Sequence, residues 1–131
     1  MFGEERVVCQ LILGIKRSIC MKSIHKLEDI LNTFGKDDYF VDFLNTMSLE
    51  AGIIRLREGQ EDIQTTHSLD EIYYVIGGEG YIRIEGKSQP VNRGTIIFVP
   101  AEIDHNFYGN KEDLVVLYIF SKHKMAATSK G

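Results

Sequence analysis
The sequence predicts an all-β domain, a small closed barrel or sandwich, with one short helix ahead of it. Three observations carry this. Downstream of Met47, short apolar runs recur, each bounded by Gly, Pro, Asn or Asp. Several of these runs alternate apolar with polar residues, as half-buried strands do. Only one segment, residues 24–34, spaces its apolar residues as a helix would. At 131 residues with 44% hydrophobic content, the chain has the length of one domain and the material for one core.

The elements follow in order. Ser23 is positioned to cap a helix that carries Ile24, Leu27, Ile30, Leu31 and Phe34 on one side and stops at Gly35. Lys36, Asp37 and Asp38 make a polar turn, and the aromatic-rich residues 39–44 read as a strand. Residues 53–57 form the next strand, ended by Glu58-Gly59-Gln60. Residues 71–76 form another, ended by Gly77-Gly78. Residues 81–85 place Ile82 and Ile84 on one face, and the turn at Gly86 returns the chain through Pro90 and Val91. Residues 95–99 are a buried-type strand closed by Pro100. Residues 114–120, Leu-Val-Val-Leu-Tyr-Ile-Phe, are so continuously apolar that both faces should be covered. Their β-branched and aromatic content excludes a helix.

Composition narrows the partners. Fifteen basic against nineteen acidic residues leave a net charge of -4 with no basic block, so nothing points to nucleic acid. No apolar run is long enough for a membrane helix. Residues 7–15 match a signal peptide only in length, because acidic residues precede them and no small-residue cleavage site follows. Cys9 and Cys20 have neither redox nor zinc spacing, consistent with reduced thiols in a cytoplasmic protein. Residues 1–20 read as an extension whose apolar part adds a strand to the barrel or a partner, residues 21–124 as the barrel domain, and residues 125–131 as a disordered tail.

Potential ligands stand at the edges of two strand-like runs. If Thr65, His67, Glu71 and Tyr73 share the inward face of one, and His105 and Phe107 that of the other, two imidazoles and a carboxylate converge inside the barrel. That set holds Fe(II) with positions left open and also accepts Mn, Ni or Zn. Without metal, the same residues can form a buried carboxylate paired with a protonated histidine. Thr65, Tyr73, Phe98 and Phe107 are candidates to line a small-molecule pocket, with Tyr73 or Tyr108 as proton donors. Arg55, Arg57 or Arg83, if turned inward, would hold an anionic ligand, although exposed strand arginines are commoner. His25 and His123 read as surface residues.

Over roughly residues 49–120 the two blocks resemble the paired motifs of the cupin superfamily. The first motif is matched by Gly59, His67, Glu71 and Gly78, the second by Gly94, Pro100 and His105, with residues 79–93 between them as in small single-domain cupins. Three positions depart from the pattern. Thr65 takes the place of the first metal histidine, Glu102 that of a glycine after the proline, and Gly109 that of an asparagine, with Asn110 one place late. The resemblance implies a jelly-roll-like double-stranded β-helix and three ligands, His67, Glu71 and His105, for a divalent metal. It also implies a homodimer, and either a metal-dependent dioxygenase, isomerase or decarboxylase or a non-catalytic ligand-binding or sensing protein.

Overall fold
The computed structural model describes residues 7–11, 18–64 and 67–122, with the backbone alone for 7–11 and 18–21. Most of the expected extension and the whole of the expected tail lie outside these residues, as do Thr65 and His123. Strands β1 (Val7–Leu11) and β2 (Ser18–Lys22) pair antiparallel with each other, so the extension contributes a strand pair where one added strand was expected.

Helix α1 (Leu27–Leu31) is shorter than the predicted span. Lys26, not Ser23, occupies the N-cap position, and no side chain caps it. The chain leaves the helix early because Thr33 N–H bonds to the Ile30 carbonyl, a tighter turn than an α-helix allows. Five residues cannot sustain a helix alone, and burial of Ile30 supports it.

Eight antiparallel strands form two sheets. The larger contains β3 (Phe40–Asn45), β4 (Leu49–Leu56), β10 (Leu114–Ser121), β5 (Glu71–Gly77) and β8 (Ile96–Val99), in that spatial order. The smaller contains β7 (Lys87–Asn92), β6 (Glu79–Ile84) and β9 (His105–Tyr108). This is the double-stranded β-helix. Among the described residues no ladder joins one sheet to the other, so the expected closed barrel is closed by side chains and not by continuous pairing.

Those side chains follow from alternation. Tyr73 and Val75 on β5, Val99 on β8, Phe107 on β9 and Leu114 and Val116 on β10 point inward and are almost completely buried. Each such aliphatic or aromatic side chain contributes about 1.5–3 kcal/mol by leaving water. β10 departs from expectation. Its inward residues are buried, but Ile119 on the outer face remains 37% exposed. Helix α1 packs on β4, and Ile119, Ile72 and Tyr74 on the same face stay exposed.

One glycine is required by close approach. Gly52 on β4 lies against the Tyr118 hydroxyl and the Val41 carbonyl, both of which a Cβ would strike. Tyr118 spends its hydroxyl on Asp42, so it has little freedom to retreat. Gly52→Ala is expected to destabilise the protein by about 1–3 kcal/mol through overpacking. Chemical denaturation with an unchanged m-value checks this, and a midpoint equal to wild type refutes the close packing.

Candidate metal centre
Glu71 opens β5 and His105 opens β9, so the two come from opposite sheets and meet in the space between. Both are buried, at 3% and 4% exposure. His67 arrives differently from the expected strand alternation. It sits in the irregular segment before β5, where the Glu102 N–H donates to its carbonyl at 2.7 Å and the Ala101 N–H donates to the Asp70 carboxylate at 2.9 Å. These two bonds hold the loop against the turn that leads to His105. The His67 ring stacks on Phe120, with centroids 5.7 Å apart.

The ligand-type atoms of His67, Glu71 and His105 all lie within 4.8 Å of one another. Glu71 Oε1 is 3.3 Å from His105 Nε2 and 3.7 Å from His67 Nε2. Neighbouring ligands bonded to one ion at about 2.0–2.2 Å stand about 3–3.5 Å apart, so the first pair has this spacing and the second is close to it.

The hydrogen bonds define what the centre lacks. His105 Nδ1 is 2.9 Å from the Ile103 carbonyl, which can only accept, so this nitrogen carries a proton. In the neutral ring Nε2 is then a lone pair aimed at the centre, the tautomer a metal ligand needs. The Tyr73 hydroxyl is 2.9 Å from that Nε2, 2.9 Å from Glu71 Oε1 and 2.8 Å from Gln64 Oε1. With His105 neutral, three acceptors surround one hydroxyl proton, and Glu71 Oε1 faces Nε2 with nothing between them. A proton on His105 or a metal cation resolves the conflict.

The titration preferences agree. Burial works against charge on His105, but the Glu71 carboxylate, the Ile103 carbonyl and Asp62 together hold its pKa above the ordinary value. Burial, followed by the nearby Glu71 charge, pushes the Tyr73 phenol far upward and keeps it protonated as a donor.

Sequence reasoning did not single out two supporting residues. Asp62 is a buried carboxylate that accepts from the Phe107 N–H at 2.8 Å and from Gln64 Nε2 at 2.8 Å. Burial raises its pKa, against these bonds. Gln64, fixed by Asp62, turns its carbonyl oxygen to Tyr73. Both lie in an irregular segment without periodicity, and only the glycine-led motif around them offered a signal.

A cavity of about 370 Å³ adjoins the centre. His67 and Glu71 line it, with Tyr39, Phe40, Ile63 and Phe120 among its apolar wall. Asp42 and Glu50 also line it, the latter held above the usual carboxylate range by burial and by Asp42.

The expected pocket residues fall elsewhere. Phe98 is 57% exposed on the outer face of β8, because its neighbours Ile97 and Val99 take the inward positions. Phe107 is core, packed edge-on against Tyr73 at 5.0 Å. Tyr73 is fully buried and reaches the centre through its hydroxyl alone. Tyr108, the other candidate proton donor, spends its hydroxyl on Ser88 beneath Arg83. None of the three arginines lines the cavity. Arg55 lies over the Phe34 ring, Arg57 donates to the Lys36 carbonyl, and Arg83 covers Tyr108. His25 packs against Phe43, with ring centroids 4.8 Å apart.

Two antiparallel sheets facing each other around a His, Glu and His cluster define a double-stranded β-helix protein with a centre of metal-ligand type. The chain belongs to the cupin family: the family described as "Cupin domain" matches residues 52–120. An uncharacterised protein of Streptomyces coelicolor is 35% identical over 87 residues, covering 66% of this chain and 83% of that protein. The cupin domain of Schizosaccharomyces pombe Cnp3 superposes with a TM-score of 0.71 at 12% identity, covering 93% of this chain and 90% of that one. An RmlC-like cupin of Methanocaldococcus jannaschii gives 0.59 at 20% identity, covering 70% and 88%. At these identities the two structures speak for the fold alone.

The motif resemblance bears on one strained residue. Glu102 stands at the motif's glycine position and adopts φ 69°, the left-handed conformation that glycine enters freely. For other residues it costs about 1–2 kcal/mol. Offset by the greater entropy of an unfolded glycine, Glu102→Gly is expected to stabilise the protein by roughly 0.5–1 kcal/mol. A thermal melt should rise by about 2–5 °C, and an unchanged or lower midpoint contradicts the strain.

Proposed function
We propose that the chain is a cupin-type small-molecule-binding protein in which His67, Glu71 and His105 hold one divalent transition metal, Fe, Mn, Ni or Zn. The convergence of three ligand-type atoms within 4.8 Å of one another supports this reading. Two imidazole nitrogens and a carboxylate oxygen suit any of these ions, so the donor set does not choose between them. A bound ion would supply Lewis-acid polarisation or open positions for a small substrate, the chemistry of a dioxygenase, isomerase or decarboxylase. Within the protein, His105 is oriented by the Ile103 carbonyl, Glu71 by Tyr73, Tyr73 by Gln64, and Gln64 by Asp62.

A second reading, a metal-free ligand-binding or sensing cupin, is favoured by one observation. With His105 protonated, Glu71, Tyr73 and His105 satisfy one another without an ion. Elemental analysis separates the two. Protein loaded with each metal in turn is expected to bind one ion per chain. His105→Ala, and His67→Gln as a milder change, should each weaken binding by at least the 10–100-fold that even outer partners of a metal carry. Full occupancy in both variants, or no stoichiometric metal in wild type, removes the metal reading.

The cavity also limits the ligand. Its wall is largely apolar, its lining charges are Asp42, Glu50 and Glu71, and among the described residues no lysine or arginine lines it. A low-dielectric site lined by three carboxylates favours a neutral or cationic guest over an anion. In metal-stripped protein, benzylamine should bind more tightly than benzyl alcohol, and benzoate most weakly. Asp42→Asn should narrow the amine–benzoate difference about tenfold, the effect of one modest charge contact. Calorimetry reads both, and tighter benzoate binding contradicts the assignment. The family resemblance also makes a homodimer the expected assembly, and the reduced-thiol reading of Cys9 and Cys20 a cytoplasmic one.

A further inference from the structure
The N-terminal hairpin holds two residues that neither the core nor the metal reading uses. Cys9 stands at the middle of β1 and Cys20 at the middle of β2. Their spacing along the chain suggests no pairing, but the register supplies one. In the antiparallel ladder Cys9 is the direct partner of Cys20, with Val8 opposite Met21 and Gln10 opposite Ile19 on either side. Directly opposed residues of such a ladder share one face of the sheet. Their Cα atoms lie about 4.5 or 5.5 Å apart, depending on which of the two alternating pair types they form. A disulfide spans Cα separations of about 4.4–6.8 Å, so either type suffices. A slip of one residue in the register would put the two cysteines on opposite faces. The juxtaposition is therefore a property of this pairing and not of the sequence spacing.

We propose that Cys9 and Cys20 form a redox-active dithiol that a peroxide closes to an intramolecular disulfide, locking the pairing of β1 with β2. The step is a two-electron oxidation. One thiolate attacks hydrogen peroxide, the O–O bond breaks, and a sulfenic acid and hydroxide form. The second thiolate attacks the sulfenic sulfur, so that the S–S bond forms as the S–O bond breaks and a second hydroxide leaves. The two hydroxides take up the two thiol protons. Two thiols and one peroxide thus give one disulfide and two waters. A second thiol in the same chain intercepts the sulfenic acid, which keeps the site reversible and short of sulfinic acid. The fold gives the crosslink a consequence. Among the described residues β1 and β2 pair only with each other. A lone two-stranded hairpin is marginally stable at best in water, so one covalent bond across its middle decides whether it stays paired. In a reducing compartment the resting form is the dithiol, in line with the reading of the sequence.

The test uses the full chain, reduced and stripped of metal so that no bound ion reacts with the oxidant. After stoichiometric hydrogen peroxide and then an alkylating reagent, intact mass spectrometry should show a chain lighter by two hydrogens that takes up no alkyl group. The yield should not change with protein dilution, as an intramolecular reaction requires. Peptide mapping without reductant should recover Cys9 and Cys20 in one crosslinked fragment, and reductant should restore both thiols. Cys9→Ser should abolish the crosslink and leave Cys20 to alkylation or overoxidation. Hydrogen exchange of the wild type gives a second measurement. The crosslink removes chain entropy from the open hairpin, so amides of β1 and β2 should exchange about tenfold or more slowly once it closes. Sulfinic acid or an interchain crosslink as the main product overturns the proposal. So does an intrachain crosslink that leaves the exchange of β1 and β2 unchanged, which would mean that the cysteines met in an open chain and not across the ladder.

Discussion
One hydroxyl proton among three acceptors is the constraint on which the centre depends. Tyr73 can donate to Glu71, His105 or Gln64, but to one at a time. A buried carboxylate beside a buried lone pair is costly in a low dielectric unless positive charge compensates it. The site therefore favours positive charge at its centre, whether a proton on His105 or a metal ion. Any metal has to displace that proton, so its apparent affinity is the difference between two satisfied states and not the full strength of three ligand bonds.

Holding this arrangement requires both sheets at once. Glu71 and Tyr73 belong to the larger sheet, His105 to the smaller, and among the described residues no ladder joins them. What fixes their separation is the core beneath, where Tyr73 packs against Phe107 and the Phe107 N–H is tied to Asp62. The polar centre is thus the upper layer of a stack whose lower layer is hydrophobic. Asp62 serves both layers, pinning β9 through the backbone and orienting Gln64 for Tyr73.

Much of this was legible in the sequence where periodicity or spacing carried it. Strand alternation put Glu71 and Tyr73 on one face, and the two glycine-led blocks put His105 opposite them. Reading failed where neither signal acts. Phe98 was expected at the pocket, but a continuously apolar run such as residues 95–99 does not reveal which of its alternating positions turns inward. His67 was grouped with Glu71 on one inward face by strand alternation, yet it reaches the centre through a loop held by Glu102 and Asp70, contacts that no local pattern encodes. The predicted helix overran because apolar spacing continued past Leu31, whereas the backbone had already tightened at Thr33.

β5 joins the two halves of the molecule's chemistry. Its inward residues Glu71, Tyr73 and Val75 make the centre and the core, while its outward residues Ile72 and Tyr74 make the bare face. Because side chains alternate strictly along a strand, a shift of one residue in its pairing would exchange the two sets, exposing the carboxylate and burying the patch. The register against β10 and β8 is therefore under two demands, and both are met by the same pairing of Glu71 with Val99 and Tyr73 with Tyr118. Whatever covers that face steadies the strand from which Glu71 and Tyr73 project, and so bears on how tightly the centre keeps its geometry.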